Sequence, residues 1–209
     1  NSMKFRKLRY RNSLGTDLEI GLPKGHIWTA GGETSKDGVY FVANMPTEEV
    51  FTLPKKDEVN GIVYSSKPFC YGGNLIENFY LKFKDGKIVE AGAEKGEETL
   101  VKLLDSDDGA RYLGEVALVP YDSPISNSNT VFYNTLFDEN ASCHLALGQA
   151  YPVCLEGGSE MNEEELKENG VNISMVHEDF MVGTSDLEIV GIKEDGEEIL
   201  IMKDGNFCK

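Results

Sequence analysis

The sequence predicts an α+β fold, mostly antiparallel β in a barrel-like or sandwich arrangement, with a few short helices. Three observations predict it. Short runs rich in β-branched and aromatic residues recur along the 209 residues. Asp-Gly dipeptides at Asp85-Gly86, Asp195-Gly196 and Asp204-Gly205 punctuate them. Helical patterns are few and short, which places the weight on strands.

The elements follow in order. Asp17–Gly21 and Val39–Ala43 carry strand residues, with Gly31-Gly32 marking a loop between them. The stretch Asn44–Glu49 then breaks the strand pattern, because Pro46 cannot donate to a central ladder. Gly61–Ser65 is a short strand. Asn78–Phe83 and Lys87–Ala91 flank Asp85-Gly86, the clearest hairpin signal, since Asp-Gly tolerates the positive φ angles of a type I′ turn. Glu97–Leu104 sets Thr99, Leu100, Leu103 and Leu104 near one helical face. Tyr112–Val119 is an apolar strand interrupted by Glu115, and Pro120–Thr130 is a polar loop. Asp138–Ala150 is predicted as a helix capped at Asp138 and closed by Pro152, and Glu163–Glu168 as a short acidic helix ended by Gly170. Asn172–Phe180 reads as a strand, and Leu187–Lys193 with Glu197–Met202 as a second hairpin.

The formal charge of −16 argues against nucleic-acid binding, which needs a basic footprint, and against anionic membrane surfaces. Most of that charge serves solubility; an acidic cleft would also attract a cationic amine or a metal. Cys70, Cys143, Cys154 and Cys208 form no C-x-x-C pair, so no thiolate zinc or redox motif is signalled. Asn1–Arg11 is basic without the apolar core of a signal peptide, and no segment has the apolar length of a membrane span. The expectation is a cytoplasmic protein with reduced thiols. Residues 1–3 look like an expression scar.

Sparse histidines among isolated carboxylates form the ligand set of a hydrolytic zinc, cobalt or manganese site. His177 and Asp179 are two apart on a strand and so share a face. Alone, such a pair is more often a surface hydrogen bond. Glu115 sits inside an apolar strand, where it either binds a cation that offsets its burial or faces water. His144 and Tyr151, seven residues apart, would share one face of the predicted helix. Tyr151 either packs the core or stabilises an oxyanion beside a metal. Glu139 near the start of that helix complements its dipole, caps it or binds metal. Glu48 and Glu49 lie in a turn-like stretch.

These residues carry a resemblance. Asn44–Pro54 (NMPTEEVFTLP), Leu113–Pro120 (LGEVALVP), Thr135–Pro152 (TLFDENASCHLALGQAYP) and His177–Gly183 (HEDFMVG) resemble the aminopeptidase T / aminopeptidase S / PepS family of dinuclear metalloaminopeptidases. Thr16–Trp28 and Asp204–Phe207 also match. Family members are about twice this length, so residues 4–209 look like the C-terminal catalytic, metal-binding domain of a two-part enzyme whose N-terminal α/β domain is absent. The resemblance implies metal ligands at Glu49, Glu115, His144, His177 and Asp179, with Glu115 bridging two ions. It implies a catalytic Tyr151, a site acid at Glu139 and a weaker candidate at Glu48. It further implies two divalent ions (zinc, cobalt, magnesium or manganese), peptide substrates, the missing half as a partner and a homodimer of the longer protein. The expected reaction is release of N-terminal residues by a metal-activated water. The alternatives are a metal-dependent amidohydrolase acting on non-peptide amides and a catalytically silent interaction domain.

Overall fold

The computed structural model describes residues 1–45 and 48–208. Pro46, invoked above as a strand breaker, lies outside the described residues. The α+β expectation holds, with antiparallel pairing throughout two principal sheets.

The larger sheet runs in the order Lys87–Lys95, Asn74–Lys84, Val59–Tyr64, Asp17–Gly21, Lys7–Arg11, Glu188–Ile192, Glu198–Lys203 and Asn206–Phe207, with Phe69–Tyr71 paired to Asn74–Lys84 off that path. It is open, so the layered alternative holds rather than the barrel. The hairpin at Asp85-Gly86 forms as predicted, with φ of 48° and 80°. Helix Glu97–Leu104 packs Leu100, Leu103 and Leu104 into the core. Helix Glu163–Glu168 starts at a capping box made by Asn162 and Glu165, and Gly170 (φ 80°) follows its end.

The first strand, Lys7–Arg11, was not foreseen. It pairs with Asp17–Gly21 on one side and Glu188–Ile192 on the other. Leu8 and Tyr10 are fully buried between charged neighbours, a plain period-two pattern.

The smaller sheet has the order His177–Met181, His144–Gly148, Leu113–Leu118, Val50–Thr52 and Thr29–Ala30. One correction belongs here. The span 138–150 is not a helix. Its first part is a helical turn, Thr135–Asp138, capped by the Asn134 side chain, followed by a 3-10 turn at Glu139–Ala141. His144–Gly148 is a fully buried central strand. Leu145 and Leu147 face the core while His144, Ala146 and Gly148 face the other way. Pro152 opens a 3-10 turn rather than closing a helix. The His177 strand begins at His177, and residues 172–176 are irregular.

One face of this sheet joins the larger sheet in a shared core that includes Val116, Leu118, Leu145, Leu147 and Phe180 from the small sheet and Leu8, Leu18, Val63 and Phe79 from the large one. Phe79 and Phe180 meet across it with ring centroids 5.4 Å apart. Phe180→Ala should therefore lower unfolding free energy by about 3–5 kcal/mol, the usual cost of emptying a buried aromatic site, read from urea denaturation midpoints at constant m. The opposite face carries the polar residues. A two-stranded hairpin, Gly32–Thr34 with Tyr40–Val42, pairs only with itself and leaves Val39, Tyr40, Phe41 and Val42 exposed. No helix among the described residues is long and apolar enough to cross a membrane.

Candidate metal centre

Strand register assembles the site. Ala146 on the His144 strand lies opposite Glu115 on one side and Asp179 on the other. His144 lies opposite Ala117, and His177 opposite Gly148. Period-two alternation then places Glu115, His144, His177 and Asp179 on one face. The small side chain of Ala146 leaves space between the two carboxylates. Phe51 pairs with Ala117 and brings its strand to the same face, two residues after Glu49.

Glu115 reaches this face through a bulge. Leu113 pairs with Leu147 and Glu115 with Ala146, so Gly114 is an extra residue. Leu113, Val116 and Leu118 all point into the core. Unbroken alternation from Leu113 would have turned Glu115 into that core; the bulge reverses its direction. A Cβ at Gly114 would stand 2.3 Å from the Gln149 carbonyl oxygen and 2.5 Å from that of Gly148, so only glycine fits.

Glu115 is 5 % exposed, and its two oxygens are divided between the histidines. Oε1 lies 3.6 Å from His144 Nε2 and Oε2 lies 3.7 Å from His177 Nε2. Glu49 Oε1 is 3.1 Å from His144 Nε2, and Asp179 Oδ2 is 3.6 Å from His177 Nε2. Ligand atoms of Glu49, Glu115 and His144 all lie within 4.8 Å of one another, close enough to hold a metal ion. Both imidazoles donate their other nitrogen to the backbone: Nδ1 of His144 to Ser142 O at 3.1 Å, Nδ1 of His177 to Gln149 O at 2.7 Å. A carbonyl only accepts, so each Nδ1 carries a proton and each Nε2 is turned to the centre, where a bound cation would take its lone pair in place of a proton.

The electrostatics fit a missing positive charge. Burial raises Glu115 above the usual carboxylate range; His144 partly offsets this, while Asp179 adds to it. Burial opposes a charge on His144, yet hydrogen bonds to Glu115 and Glu49 overcome that and hold its pKa well above the ordinary value. Burial and the facing Asp179 push Glu139 up to about 9. Asp179 Oδ1 is buried with no hydrogen-bond partner among the described residues. A divalent cation would satisfy this orphaned oxygen and neutralise the crowded acids, so the residues fit one.

Glu139 comes to the site from the 3-10 turn, where Asn44 Nδ2 donates to its Oε1 at 2.5 Å. Tyr151 also arrives, though not by sharing a helix face with His144. Gly148 adopts φ 96°, the chain leaves the strand, and the Tyr151 ring lies tilted against His177 with centroids 4.5 Å apart and edge-on to Phe51 at 6.4 Å. The Tyr151 phenol is half-buried, and burial together with Glu115, Asp179 and Glu139 pushes its pKa up to about 12. A cavity of about 550 Å³ opens on Glu49, Glu115, Glu139, Tyr151, His177 and Asp179, with Phe51, Leu136 and Val153 as apolar wall. Glu48 is exposed and does not line that cavity. The sequence reading missed Asn44 and Phe51, although both sit inside the quoted stretch Asn44–Pro54.

Comparisons with known proteins point one way. Residues 1–207 match the family described as thermophilic metalloprotease (M29). The chain is 56% identical over 208 residues to aminopeptidase AmpS of Bacillus subtilis and 54% identical to aminopeptidase 2 of Geobacillus stearothermophilus, covering all of this chain and half of each relative. Wild-type AmpT from Thermus thermophilus superposes with a TM-score of 0.91 at 46% identity, covering 98% of this chain and 50% of that one. A 2,5-dihydroxypyridine dioxygenase from Pseudomonas putida shares the fold alone, with a TM-score of 0.60 at 14% identity. The chain thus spans about half the length of the curated relatives it matches.

Proposed function

The chain belongs to the thermophilic metalloprotease family M29, and from that premise we propose that it is the metal-binding catalytic half of a dinuclear aminopeptidase. The observation that carries the reading is the division of the two Glu115 oxygens between His144 and His177. It supports one ion that Glu49, Glu115 and His144 would hold and a second that Glu115, His177 and Asp179 would hold, with Glu139 as a further acid at the site. The mixed oxygen and imidazole donors admit zinc, cobalt, magnesium or manganese.

When bound, such ions supply Lewis-acid chemistry, acidifying water and polarising a carbonyl. The chain's own residues do the rest. Tyr151, at the cavity wall, would offer a hydroxyl donor for the oxyanion of a tetrahedral intermediate. Glu139, with its Oε1 held by Asn44, would exchange a proton with water or receive the substrate's α-ammonium. Glu48, exposed outside the cavity, is withdrawn from that role. Phe51, Leu136 and Val153 exclude water on the apolar side.

Two partners belong to the proposal: the half of the longer protein that this chain does not span, and a second copy of that protein. Leu136, which lines the cavity yet is half exposed, supports a surface that something covers. A cytoplasmic setting is supported by four free cysteines.

The test loads the longer protein with cobalt or zinc and offers leucine p-nitroanilide beside its N-acetylated form. Release of p-nitroaniline from the free amine alone is expected, and the isolated 209-residue chain should be much slower because its cleft is bounded on fewer sides. Equal cleavage of the acetylated compound would convert the reading into a general amidohydrolase. No cleavage of either by the metal-loaded longer protein would end it.

A further inference from the structure

The approach to His177 is irregular, yet it is held by an unusual number of side-chain contacts. Residues 172–176 form no strand, and only two backbone bonds, Gln149 N to Val176 O and Ala150 N to Asn172 O, hold the described backbone entering the ligand against its neighbour. Asp107, from the turn after helix Glu97–Leu104, adds to them from the other side. Its carboxylate accepts from Met175 N at 2.6 Å and from Ser174 Oγ at 2.9 and 3.0 Å, and from Gly109 N and Ala110 N at 2.7 and 2.9 Å within its own turn. Burial alone would raise its pKa, but these donors overcome that and hold Asp107 below the usual carboxylate range.

The contacts continue towards the imidazole. Ser174 N donates to Gln149 Oε1 at 2.9 Å, and Val176 N donates to Ser174 Oγ at 3.2 Å. Gln149 N donates to Val176 O at 2.7 Å. Gln149 O, on the same residue, accepts the His177 Nδ1 proton at 2.7 Å. Asn172, fully buried, donates from Nδ2 to Gly148 O at 2.6 Å and Gly109 O at 2.8 Å, tying the Asp107 turn to the same corner. Asp107 lies outside the metal cavity and touches none of the proposed ligands.

We propose that Asp107 is a positioning residue for His177, acting through Ser174 and Gln149 to set the ring orientation and its Nδ1–H tautomer. The inference rests on the proposed function, in which His177 serves the second divalent ion. Orienting partners of this kind typically change metal affinity or activity 10–100-fold when removed. The loss should be local: the Glu49–Glu115–His144 group takes its orientation from Ser142 O and should not respond.

The experiment uses the 209-residue chain with two readouts. Cobalt titration calorimetry follows each ion, and long-range ¹⁵N spectra of the metal-free chain, which has three histidines, report each tautomer. In Asp107→Ala one ion should bind as in wild type and the other about 10–100-fold more weakly. The His177 ring should change from pure Nδ1–H to a mixture while His144 stays fixed. Ser174→Ala, a smaller change that keeps the backbone donors, should move both readouts in the same direction by less, and it stands as the test if Asp107→Ala does not fold. Unchanged second-ion affinity and an unchanged His177 tautomer would overturn the proposal, and so would equal weakening of both ions. His177→Ala separates this from the parent reading. If it costs one ion while the Asp107 and Ser174 variants cost none, only the positioning role fails. If it costs no ion, the ligand assignment fails instead.

Discussion

Glu115→Gln should cost the chain both divalent ions, by more than about 100-fold in affinity for each, beyond the ~10–100-fold typical of outer-shell changes. The reason is position. Among the described residues Glu115 alone faces both imidazoles, one oxygen to each, so its loss removes a donor from both proposed ions. Glutamine keeps the shape and one carbonyl acceptor but puts an amide where a cation should sit. Stability gives a second readout with the opposite dependence on metal. In the ion-free chain Glu115 is a buried carboxylate facing Asp179, so neutralising it should leave the melting temperature unchanged or raised. The wild-type increase in Tm on adding cobalt, which follows from binding to the folded state only, should disappear. A variant that kept the cobalt-induced rise would remove Glu115 from the centre.

Tyr151→Phe in the longer protein should lower kcat by roughly 10²–10³-fold with little change in KM or metal content, because an oxyanion donor acts mainly in the transition state. The competing role is packing: the ring lies tilted against His177 and meets Phe51, and phenylalanine preserves both contacts. Near-normal kcat would leave Tyr151 as a wall of the cavity. Loss of metal would make it a support for His177.

Local physics was legible in the sequence where one element decided its own structure. Helix Glu97–Leu104 follows from its apolar spacing, and the Asp85-Gly86 hairpin from a dipeptide chemistry that suits two consecutive positive φ angles. The span 138–150 misled because Ala, Leu and Gln favour helix in isolation, whereas Leu145 and Leu147 alternate with His144 and Ala146. Tertiary pairing with two neighbouring strands overrode that preference. Tyr151 reaches a histidine for a different cause: the chain turns at Gly148 and lays Tyr151 tilted against His177, not on a helix face shared with His144. His177 and Asp179 share a face on the strength of spacing alone. Bringing Glu49, Glu115 and His144 to the same point needs registers between strands distant in sequence, and no periodicity encodes those. Only the resemblance to a family pointed to that set. Lys7–Arg11 had a visible alternation, Leu8 and Tyr10 inward, but its basic character drew attention to targeting instead.

The extra residue at Gly114 has a bearing on heredity. A one-codon deletion there would leave all five proposed ligands in the gene and in their usual order. Strand parity would nevertheless carry the Glu115 carboxylate towards Leu145 and Leu147, where an unpaired charge costs several kcal/mol, or else slip the strand and empty the centre. A descendant with every ligand present would then be inert. Judging such a descendant from its sequence therefore requires counting the residues between Leu113 and Glu115 as well as checking which amino acids they are.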